Sequence, residues 1–359
     1  MAQALRLAER GRFTTSPNPR VGCVLVRDGQ VLADGWHHRA GEPHAECVAI
    51  ARATQPLQGA TAYVSLEPCS HHGRTGPCTR ALIEAGVKRV VVAMEDPNPE
   101  VSGRGLSALR EAGVGVYCGL MESEARALNR GFIARMQHQL PFVFAKLASS
   151  LDGRTAMANG ESKWITGTAA RGQVQRLRAS SCAIVTGIET ILQDDPALTV
   201  RTGMLGVDYP ADTVRQPLRV VLDSRLRMPP KARILAQPGR TIIVTGVDDA
   251  QRLEFWSQHE VVVLPLRDGR VDLRALLRWL ASEHECNEVM VEAGATLSGA
   301  FMAQRLLDEL HLFVAPTLLG SSARPLLQLP LVHMGDQQRL EIVQTRAIGD
   351  DWWLRARLK

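Results

Sequence analysis

The sequence is poor in aromatic residues and contains no long apolar run. Phenylalanine, tryptophan and tyrosine make up only 4% of its 359 residues, which is too few for a continuous surface on which nucleic-acid bases would stack. No apolar run approaches the roughly 20 residues that a membrane-spanning helix needs. The first residues, MAQALRLAERGRF, predict an amphipathic helix rather than a secretory signal. We therefore expect a cytoplasmic protein without a membrane partner.

The cysteines do not form the pattern of a disulfide framework. There are seven, an odd number, scattered between positions 23 and 286. Without a secretory signal this predicts reduced thiols, so two close cysteines favour a metal site over a disulfide. The net charge of +5 suits a phosphorylated substrate at least as well as nucleic acid, and it equally suits an arginine-rich solvated surface.

The order of predicted elements indicates two α/β domains. Asp28-Gly29 predicts a hairpin, after which strands and helices alternate, with a single helix predicted over residues 122–136. The junction MQHQLP follows, and a second alternating series runs to the end of the chain. We find no internal repeat and no low-complexity tract. The predicted domains are residues 1–138 and residues 139–359.

Residues 67–78, EPCSHHGRTGPC, contain the components of a metal site. A catalytic zinc takes three protein ligands and keeps one position for water. Cys69 and Cys78 supply two thiolates, which favour zinc over hard cations. His44, in GEPHAEC, is the third candidate. Glu46, two residues later, is the candidate general acid and base, moving a proton from water to a leaving amine.

Two alternatives need weighing against a catalytic zinc. The two cysteines could be buried thiols, or His71 or His72 could close a structural zinc site, which would leave Glu46 without a role. However, HAE and EPC match the H-x-E…P-C-x-x-C signature of zinc deaminases, although eight residues rather than two separate the cysteines. We therefore assign one zinc ion per chain to three ligands: His44, Cys69 and Cys78.

These motifs, together with DPNP at 96–99, resemble the deaminase half of the bifunctional riboflavin-biosynthesis deaminase/reductases. The long loop between the cysteines separates that family from cytidine and tRNA adenosine deaminases. The resemblance continues through the second domain and so covers nearly the whole chain. It implies a cytidine-deaminase-like α/β/α layered N-terminal domain and a dihydrofolate-reductase-like α/β C-terminal domain.

The resemblance implies the chemistry of the first domain. Its substrate would be 2,5-diamino-6-ribosylamino-4(3H)-pyrimidinone 5′-phosphate, which would lose an amino group by zinc-dependent hydrolysis while Glu46 shuttles protons. The implied substrate contacts are Asn18, His37, His71 and Arg74. The neighbouring His38 is as basic as His37, and a guanidinium at position 74 suits a phosphate.

In the second domain the segments AKLASSLDGRTA, ESKWIT, LRAS, DDPALTVR and VEAGATLSGA carry the resemblance. It implies that NADPH reduces the ribosyl group to a ribityl chain, although the fingerprint G-x-G-x-x-G is absent. The implied cofactor contacts are Ala148, Ser162, Trp164, Thr190, Asp194, Gly294, Ala295, Thr296, Leu297, Ser298, Gly299 and Ala300. The implied substrate contacts are Lys146, Arg178, Leu198, Arg201 and Glu292.

Several assignments in the second domain have alternatives. Arg178 and Arg201 fit a phosphate clamp but could be ordinary surface arginines, and Trp164 could belong to the core. Lys146 and Asp194 are the candidate proton donors. For the whole chain, the competing hypotheses are a zinc nucleic-acid base deaminase with an accessory domain and a zinc-stapled binding module. We expect a small phosphorylated pyrimidine as partner and no nucleic acid; a homo-oligomer formed through the reductase domain is a further hypothesis.

Overall fold

The computed structural model describes residues 1–70, 76–205 and 214–358. The chain divides into two compact units, Met1–Leu140 and Pro141–Lys359. This division falls within the predicted junction MQHQLP. Among the described residues, no helix has both the length and the apolar character needed to cross a membrane.

The first unit is built on a five-stranded sheet in the order β2-β1-β3-β4-β5. Its strands are β1 (Gly22–Arg27), β2 (Gln30–Trp36), β3 (Thr61–Val64), β4 (Arg89–Val92) and β5 (Gly115–Cys118). β1 runs antiparallel to β2 and β3, whereas β3, β4 and β5 are parallel. The predicted hairpin is confirmed, and Asp28 and Gly29 both have positive φ (50° and 77°), as a tight two-residue hairpin turn requires.

Helices cover both faces of this sheet. They are α1 (Ala2–Glu9), α2 (Ala45–Arg52), α3 (Cys78–Glu84), α4 (Arg104–Glu111), α5 (Glu122–Leu128) and α6 (Arg130–His138). Successive side chains of a strand point to opposite faces. Accordingly, Cys23 and Leu25 of β1 share a core cluster with residues of α2, α3 and α4, while Val24 between them packs with Ala4 and Leu7 of α1. The layers are therefore helix, sheet, helix.

The single helix predicted over residues 122–136 is wrong, because the chain breaks at Asn129 between α5 and α6. Asn129 leaves helical geometry with φ −109° and ψ 22°. Its Oδ1 accepts a hydrogen bond from the backbone N–H of Arg20 at 2.8 Å, and its Nδ2 donates to the Arg20 carbonyl at 3.0 Å. The contact is distant in sequence, so helical periodicity does not indicate it.

The second unit contains a nine-stranded sheet in the order β11-β10-β9-β8-β14-β6-β15-β18-β17. Its strands are β6 (Phe142–Ser150), β8 (Ala183–Gly187), β9 (Leu218–Leu222), β10 (Thr241–Thr245), β11 (Glu260–Val263), β14 (Glu288–Val291), β15 (Glu309–Ala315), β17 (Leu340–Ile348) and β18 (Asp351–Leu358). The pairings from β11 across to β15 are parallel, and β18 is antiparallel to both of its neighbours. Two short antiparallel pairs complete the strands: β7 (Arg154–Ala156) with β16 (Arg324–Pro325), and β12 (Leu266–Arg267) with β13 (Arg270–Val271).

Five α-helices accompany these strands in the described part of this unit: α7 (Thr168–Ser180), α8 (Ile188–Asp194), α9 (Ala250–Phe255), α10 (Leu273–Ser282) and α11 (Ala295–Ala303). The central strands are apolar because helices cover them, and Phe144, Ile184 and Met290 from three neighbouring strands share one core cluster. The sequence analysis did not predict α8, α9 or the β12–β13 hairpin. The hairpin turn is Asp268-Gly269, the same dipeptide as in the first unit.

Gly35 allows β2 to press against α2, the helix that begins directly after His44. A Cβ atom at position 35 would lie 2.6 Å from the Ala49 nitrogen and 2.7 Å from the Ala45 oxygen. We expect Gly35→Ala to destabilise the chain by about 1–3 kcal/mol, because backbone has to move. Gly115→Ala in β5 is the control, since its nearest neighbour would be 3.6 Å away. Urea unfolding of both variants measures the difference; equal losses would contradict this explanation.

Candidate active sites

The first unit brings the three predicted zinc ligands together. His44 Nδ1, Cys69 Sγ and Cys78 Sγ all lie within 4.8 Å of one another. His44 Nδ1 is 3.2 Å from Cys78 Sγ and 3.5 Å from Cys69 Sγ. Bond lengths of about 2.0–2.3 Å around a tetrahedral zinc place its ligands about 3.5 Å apart, so the set fits this metal. In the described part of the chain no fourth histidine, cysteine or carboxylate joins the cluster.

Three elements of the fold position these ligands. His44 precedes α2, Cys69 follows β3, and Cys78 is the first residue of α3. The backbone N–H of Cys78 also points to Cys69 Sγ at 3.5 Å. Three protein ligands are the number that a catalytic zinc takes, and His71 and His72, the alternative fourth ligands, lie outside the described residues.

Glu67, two residues before Cys69, has a role that sequence reasoning missed. Its buried carboxylate accepts four backbone N–H groups: those of Asp96 (3.1 Å), Gly103 (3.0 Å), Gly105 (2.8 Å) and Leu106 (3.2 Å). The segment that carries Cys69 is thereby fastened to the connection after β4 and to the start of α4. The motif EPC was a signal for this residue, but its partners lie 29 to 39 residues away in sequence.

Hydrogen bonds within the cluster place negative charge on Cys69. The thiol of Cys78 donates to Cys69 and lowers the pKa of Cys69 to about 4, against the opposing effect of burial. The hydrogen bond to Cys69 raises the pKa of His44 to about 9. Cys47, which the sequence analysis did not single out, also accepts from Cys78, and this lowers the pKa of Cys47 to about 7. A thiolate beside a second thiol and an imidazole attracts a soft cation such as zinc.

Glu46 lies beside this cluster and is 3% exposed. Among the described residues, nothing donates a hydrogen bond to its Oε2. Burial is the main reason, and the charge of Cys69 the second, that the pKa of Glu46 rises to about 7. A buried carboxylate oxygen without a partner, next to a set of metal ligands, fits a group that exchanges protons with a molecule bound at the metal.

Asn18 and His37, the predicted substrate contacts, are in contact with each other. His37 Nδ1 donates to the Pro43 carbonyl at 3.1 Å, so its Nε2 is free to accept from Asn18 Nδ2 at 3.0 Å. The His37 ring lies edge-on to that of His44, with 5.3 Å between centroids. His38 instead stacks on Trp36 at 4.0 Å. The other two predicted contacts, His71 and Arg74, lie outside the described residues.

A cavity of about 1550 Å³ occupies the second unit and contains most of the predicted reductase residues. Those on its wall are Lys146, Ala148, Ser162, Trp164, Arg178, Thr190, Asp194, Leu198, Arg201, Glu292, Gly294, Ala295, Thr296, Leu297 and Ala300. The structure does not place Ser298 and Gly299 on this wall. Ser298 is fully buried, and a Cβ atom at Gly299 would lie 2.2 Å from the Gln328 carbonyl oxygen. These two residues pack α11 against its surroundings.

Arg178, Glu292 and Lys146 form a charged group in the cavity wall. Arg178 donates to both carboxylate oxygens of Glu292, at 2.8 and 2.9 Å, and to the Thr199 carbonyl at 2.9 Å. Lys146 Nζ is 3.7 Å from the same carboxylate. Arg178 is thus held by Glu292 rather than extended toward a phosphate. By contrast, no described residue forms a hydrogen bond or ion pair with the guanidinium of Arg201, which is exposed.

These charges determine the protonation of the group. Burial disfavours the ionised form of Glu292, but the charges of Arg178 and Lys146 outweigh it and lower the pKa of Glu292 to about 2. Burial also lowers the pKa of Lys146, against the opposing effect of Glu292. Glu292 is therefore a permanent anion, and Lys146 is the member of the group that most readily releases a proton.

The cavity fits a dinucleotide. Pockets for small ligands occupy about 300–1,000 Å³, so a volume of about 1550 Å³ is large enough for a dinucleotide with a second small molecule. Gly294 precedes α11, and the start of that helix opens on the cavity, where free backbone N–H groups suit a diphosphate. Trp164 is 69% exposed, so the alternative that it belongs to the core is wrong. Arg171, which the sequence analysis missed, lies over its ring at 4.8 Å.

Comparison with known proteins agrees with this arrangement. Residues 1–94 match the family model described as the cytidine and deoxycytidylate deaminase zinc-binding region, and residues 141–354 match the RibD C-terminal domain. The chain is 51% identical to the riboflavin biosynthesis protein RibD of Escherichia coli, over 98% of this chain and 96% of that protein. The chain belongs to the RibD family. It is a bifunctional deaminase and reductase of riboflavin biosynthesis.

Solved RibD structures share the whole fold. RibD of Acinetobacter baumannii has a TM-score of 0.92 and 45% identity, covering 100% of this chain and 97% of that one. The Thermotoga maritima diaminohydroxyphosphoribosylaminopyrimidine deaminase/5-amino-6-(5-phosphoribosylamino)uracil reductase has a TM-score of 0.88 and 33% identity, with the same coverage. The expected cytidine-deaminase-like and dihydrofolate-reductase-like domains are confirmed. The RibD C-terminal match also accounts for the second unit, which a nucleic-acid base deaminase would leave unexplained.

The buried carboxylate of Glu67 provides a test of how the RibD zinc segment is held. In Glu67→Gln an amide NH₂ group replaces a carboxylate oxygen and faces backbone N–H donors. Each buried N–H group that loses its acceptor lowers the free energy of unfolding by about 1–3 kcal/mol. We expect unfolding at lower urea concentration and a lower zinc content per chain. Glu84→Gln is the control, because Glu84 lies on the surface, where it pairs with exposed Arg80. Unchanged zinc content in Glu67→Gln would contradict a role in fixing Cys69.

Glu292 predicts a pH dependence of stability. Its pKa is about 2 in the fold against an ordinary 4.5, so its contribution is complete above pH 4.5 and is lost as the pH falls toward 2. Between pH 6 and pH 3 we expect the wild type to lose about 1–2 kcal/mol more than Glu292→Gln. Urea unfolding at the two pH values measures this, with Glu189→Gln, exposed on α8, as the control. Equal losses in the free energy of unfolding between pH 6 and pH 3 in the wild type and in Glu292→Gln would contradict the lowered pKa of Glu292.

Proposed function

We propose that the first unit hydrolytically deaminates 2,5-diamino-6-ribosylamino-4(3H)-pyrimidinone 5′-phosphate. The second unit then uses NADPH to reduce the ribosyl group of the product, which gives 5-amino-6-ribitylamino-uracil 5′-phosphate. The name of the Thermotoga maritima relative contains both activities, a deaminase and a reductase. One observation carries the proposal: His44, Cys69 and Cys78 lie together beside the unpartnered carboxylate oxygen of Glu46. This combination of metal ligands and a buried carboxylate suits hydrolysis.

In the deaminase site, His44, Cys69 and Cys78 would hold the zinc ion. When bound, zinc supplies the Lewis acidity that makes water a nucleophile near neutral pH. Glu46 takes a proton from the water that adds to the ring carbon and delivers it to the departing amine, so that ammonia leaves as the C–N bond breaks. A pKa of about 7 suits a group that both accepts and releases a proton.

Asn18 and His37 together would bind the substrate in this site. His37 Nδ1 donates to the Pro43 carbonyl, which fixes the tautomer of the His37 ring. The Nε2 atom of His37 then accepts from the Asn18 amide and orients it. Such fixed polar groups orient a pyrimidine without adding charge to the site. His71 and Arg74 are proposed to complete the contacts, with Arg74 on the sugar phosphate.

In the reductase site, NADPH supplies the hydride. The chain's own residues position the opened sugar: the Arg178–Glu292 pair presents a fixed carboxylate, and Lys146 approaches it from β6. We assign the proton that accompanies the hydride to Lys146, because burial already lowers its pKa. Asp194, at the exposed end of α8, is the weaker candidate. Arg201, whose guanidinium has no partner in the described part of the chain, is the proposed contact of the sugar phosphate.

The two half-reactions can be separated by one experiment. The zinc-loaded protein is incubated with the diaminopyrimidine, and NADPH is added only after a delay while products are followed by mass spectrometry. We expect replacement of an amino group by oxygen before the addition and a gain of two hydrogens only after it. Glu46→Gln should retain its zinc yet lose deamination by about 10²–10⁴-fold.

Lys146→Met is the matched variant for the second step. It should deaminate at the wild-type rate but fail to reduce the deaminated product. A zinc-loaded wild type that leaves the diaminopyrimidine untouched would disprove the substrate assignment. Loss of deamination in Lys146→Met would disprove the division of labour between the units. So would a Glu46→Gln variant that fails to reduce the deaminated product when that product is supplied directly. The cytoplasmic location and a homo-oligomer formed through the second unit stay predictions.

A further inference from the structure

This inference rests on the proposed use of a nicotinamide dinucleotide. The carboxyl ends of neighbouring parallel strands meet at one edge of a sheet, and ligands of α/β proteins bind there. Lys146 belongs to β6, and Glu292 directly follows β14. β14 has β6 on one side and β8, then β9, on the other. A nicotinamide beside Lys146 and Glu292, with the diphosphate at the start of α11, therefore directs the adenosine toward the ends of β8 and β9.

The cavity extends in that direction and its wall becomes basic. It includes Arg225 in the segment after β9, and Arg267 and Arg270 in the β12–β13 hairpin. All three are exposed. In the part of the chain that the structure describes, none of their guanidinium groups has a hydrogen-bond or ion-pair partner. Three uncompensated cations on a concave wall are suited to an anion.

One hydrogen bond brings these two segments together. Ser224 Oγ accepts from the backbone N–H of Val271 at 3.0 Å. Arg225 directly follows Ser224, and Arg270 directly precedes Val271. The two arginines therefore flank a single contact between the segment and the hairpin. The Arg225 carbonyl in turn accepts from the Arg252 side chain at 2.7 Å, which anchors the backbone from which the Arg225 side chain projects.

The nearby acidic groups do not neutralise these arginines. Glu189 pairs with Arg227. Asp223 is fully buried and accepts from the Met228 N–H at 2.7 Å. Asp272 caps α10 by accepting from two backbone N–H groups. Asp268 is exposed in the hairpin turn and can offset only one of the three positive charges. The wall therefore keeps a net positive charge at this end.

We propose that Arg225, Arg267 and Arg270 form the pocket for the 2′-phosphate of the dinucleotide and so select NADPH over NADH. A phosphomonoester is a dianion whose oxygens accept several charge-assisted hydrogen bonds from guanidinium groups. NADH carries a hydroxyl at the same position, which gives these cations no charge to pair with. Arg201 is expected to serve the sugar phosphate of the substrate, so the two phosphates occupy separate sites.

Equilibrium binding to the zinc-loaded full chain tests this proposal without turnover. Isothermal titration calorimetry with NADP⁺, NAD⁺ and 2′,5′-ADP is performed on the wild type, Arg225→Ala, Arg270→Ala and the double variant. We expect NADP⁺ and 2′,5′-ADP to bind about tenfold more weakly for each guanidinium removed. NAD⁺ affinity should stay within about twofold. Added salt should weaken NADP⁺ binding more than NAD⁺ binding.

Arg274→Ala provides the matched control. Arg274 is exposed on α10, four residues beyond Arg270, and does not line the cavity, so this variant removes the same charge outside the pocket and should bind NADP⁺ as the wild type does. Equal weakening of NADP⁺ and NAD⁺ in the pocket variants, or no weakening of either, would overturn the proposal. So would a loss in Arg274→Ala as large as that in Arg270→Ala. A wild type that binds neither dinucleotide would instead overturn the proposed cofactor itself.

Discussion

In each unit, residues that build the site follow the carboxyl ends of parallel strands. Cys69 follows β3, and the connection that Glu67 fastens follows β4. In the second unit, Glu292 follows β14 and Ser224 follows β9. Within each sheet, parallel strands place the ends of such segments at one edge, so residues distant in sequence meet without any long connection. Strand order thus decides which of these segments are neighbours.

The two buried glutamates show how surroundings determine what a carboxyl group can do. Glu46 lies beside a thiolate, and burial raises its pKa to about 7. Glu292 lies between a guanidinium and an ammonium, which lower its pKa to about 2 despite burial. The first can exchange a proton near neutral pH and the second cannot. One is therefore suited to proton transfer and the other to holding neighbouring cations in place.

Local patterns accounted for much of the fold and of the zinc cluster. The hairpin at Asp28-Gly29 and the ligand set of His44, Cys69 and Cys78 follow from short motifs, since a turn or a metal site demands particular residue types at fixed positions. The β12–β13 hairpin was missed although it contains the same dipeptide, because its two-residue strands have too little length to show alternation.

Features that depend on distant partners were not readable in the same way. The break at Asn129 arises from a contact 109 residues away, and the four donors to Glu67 lie beyond β4. The pairing of Arg178 with Glu292 spans 114 residues, so the sequence suggested a phosphate clamp where the structure holds an ion pair. A one-dimensional pattern indicates which residue types are available, but packing determines which of them are already engaged.

Trp164 has one further consequence. Its indole is 69% exposed and stands on the wall of the reductase cavity, with a guanidinium over its face. An indole in water emits at longer wavelength than one shielded from it. A molecule that fills the cavity must displace water from this ring, so the protein carries an optical reporter at its own reductase site, and occupancy can be read from intrinsic fluorescence without any label.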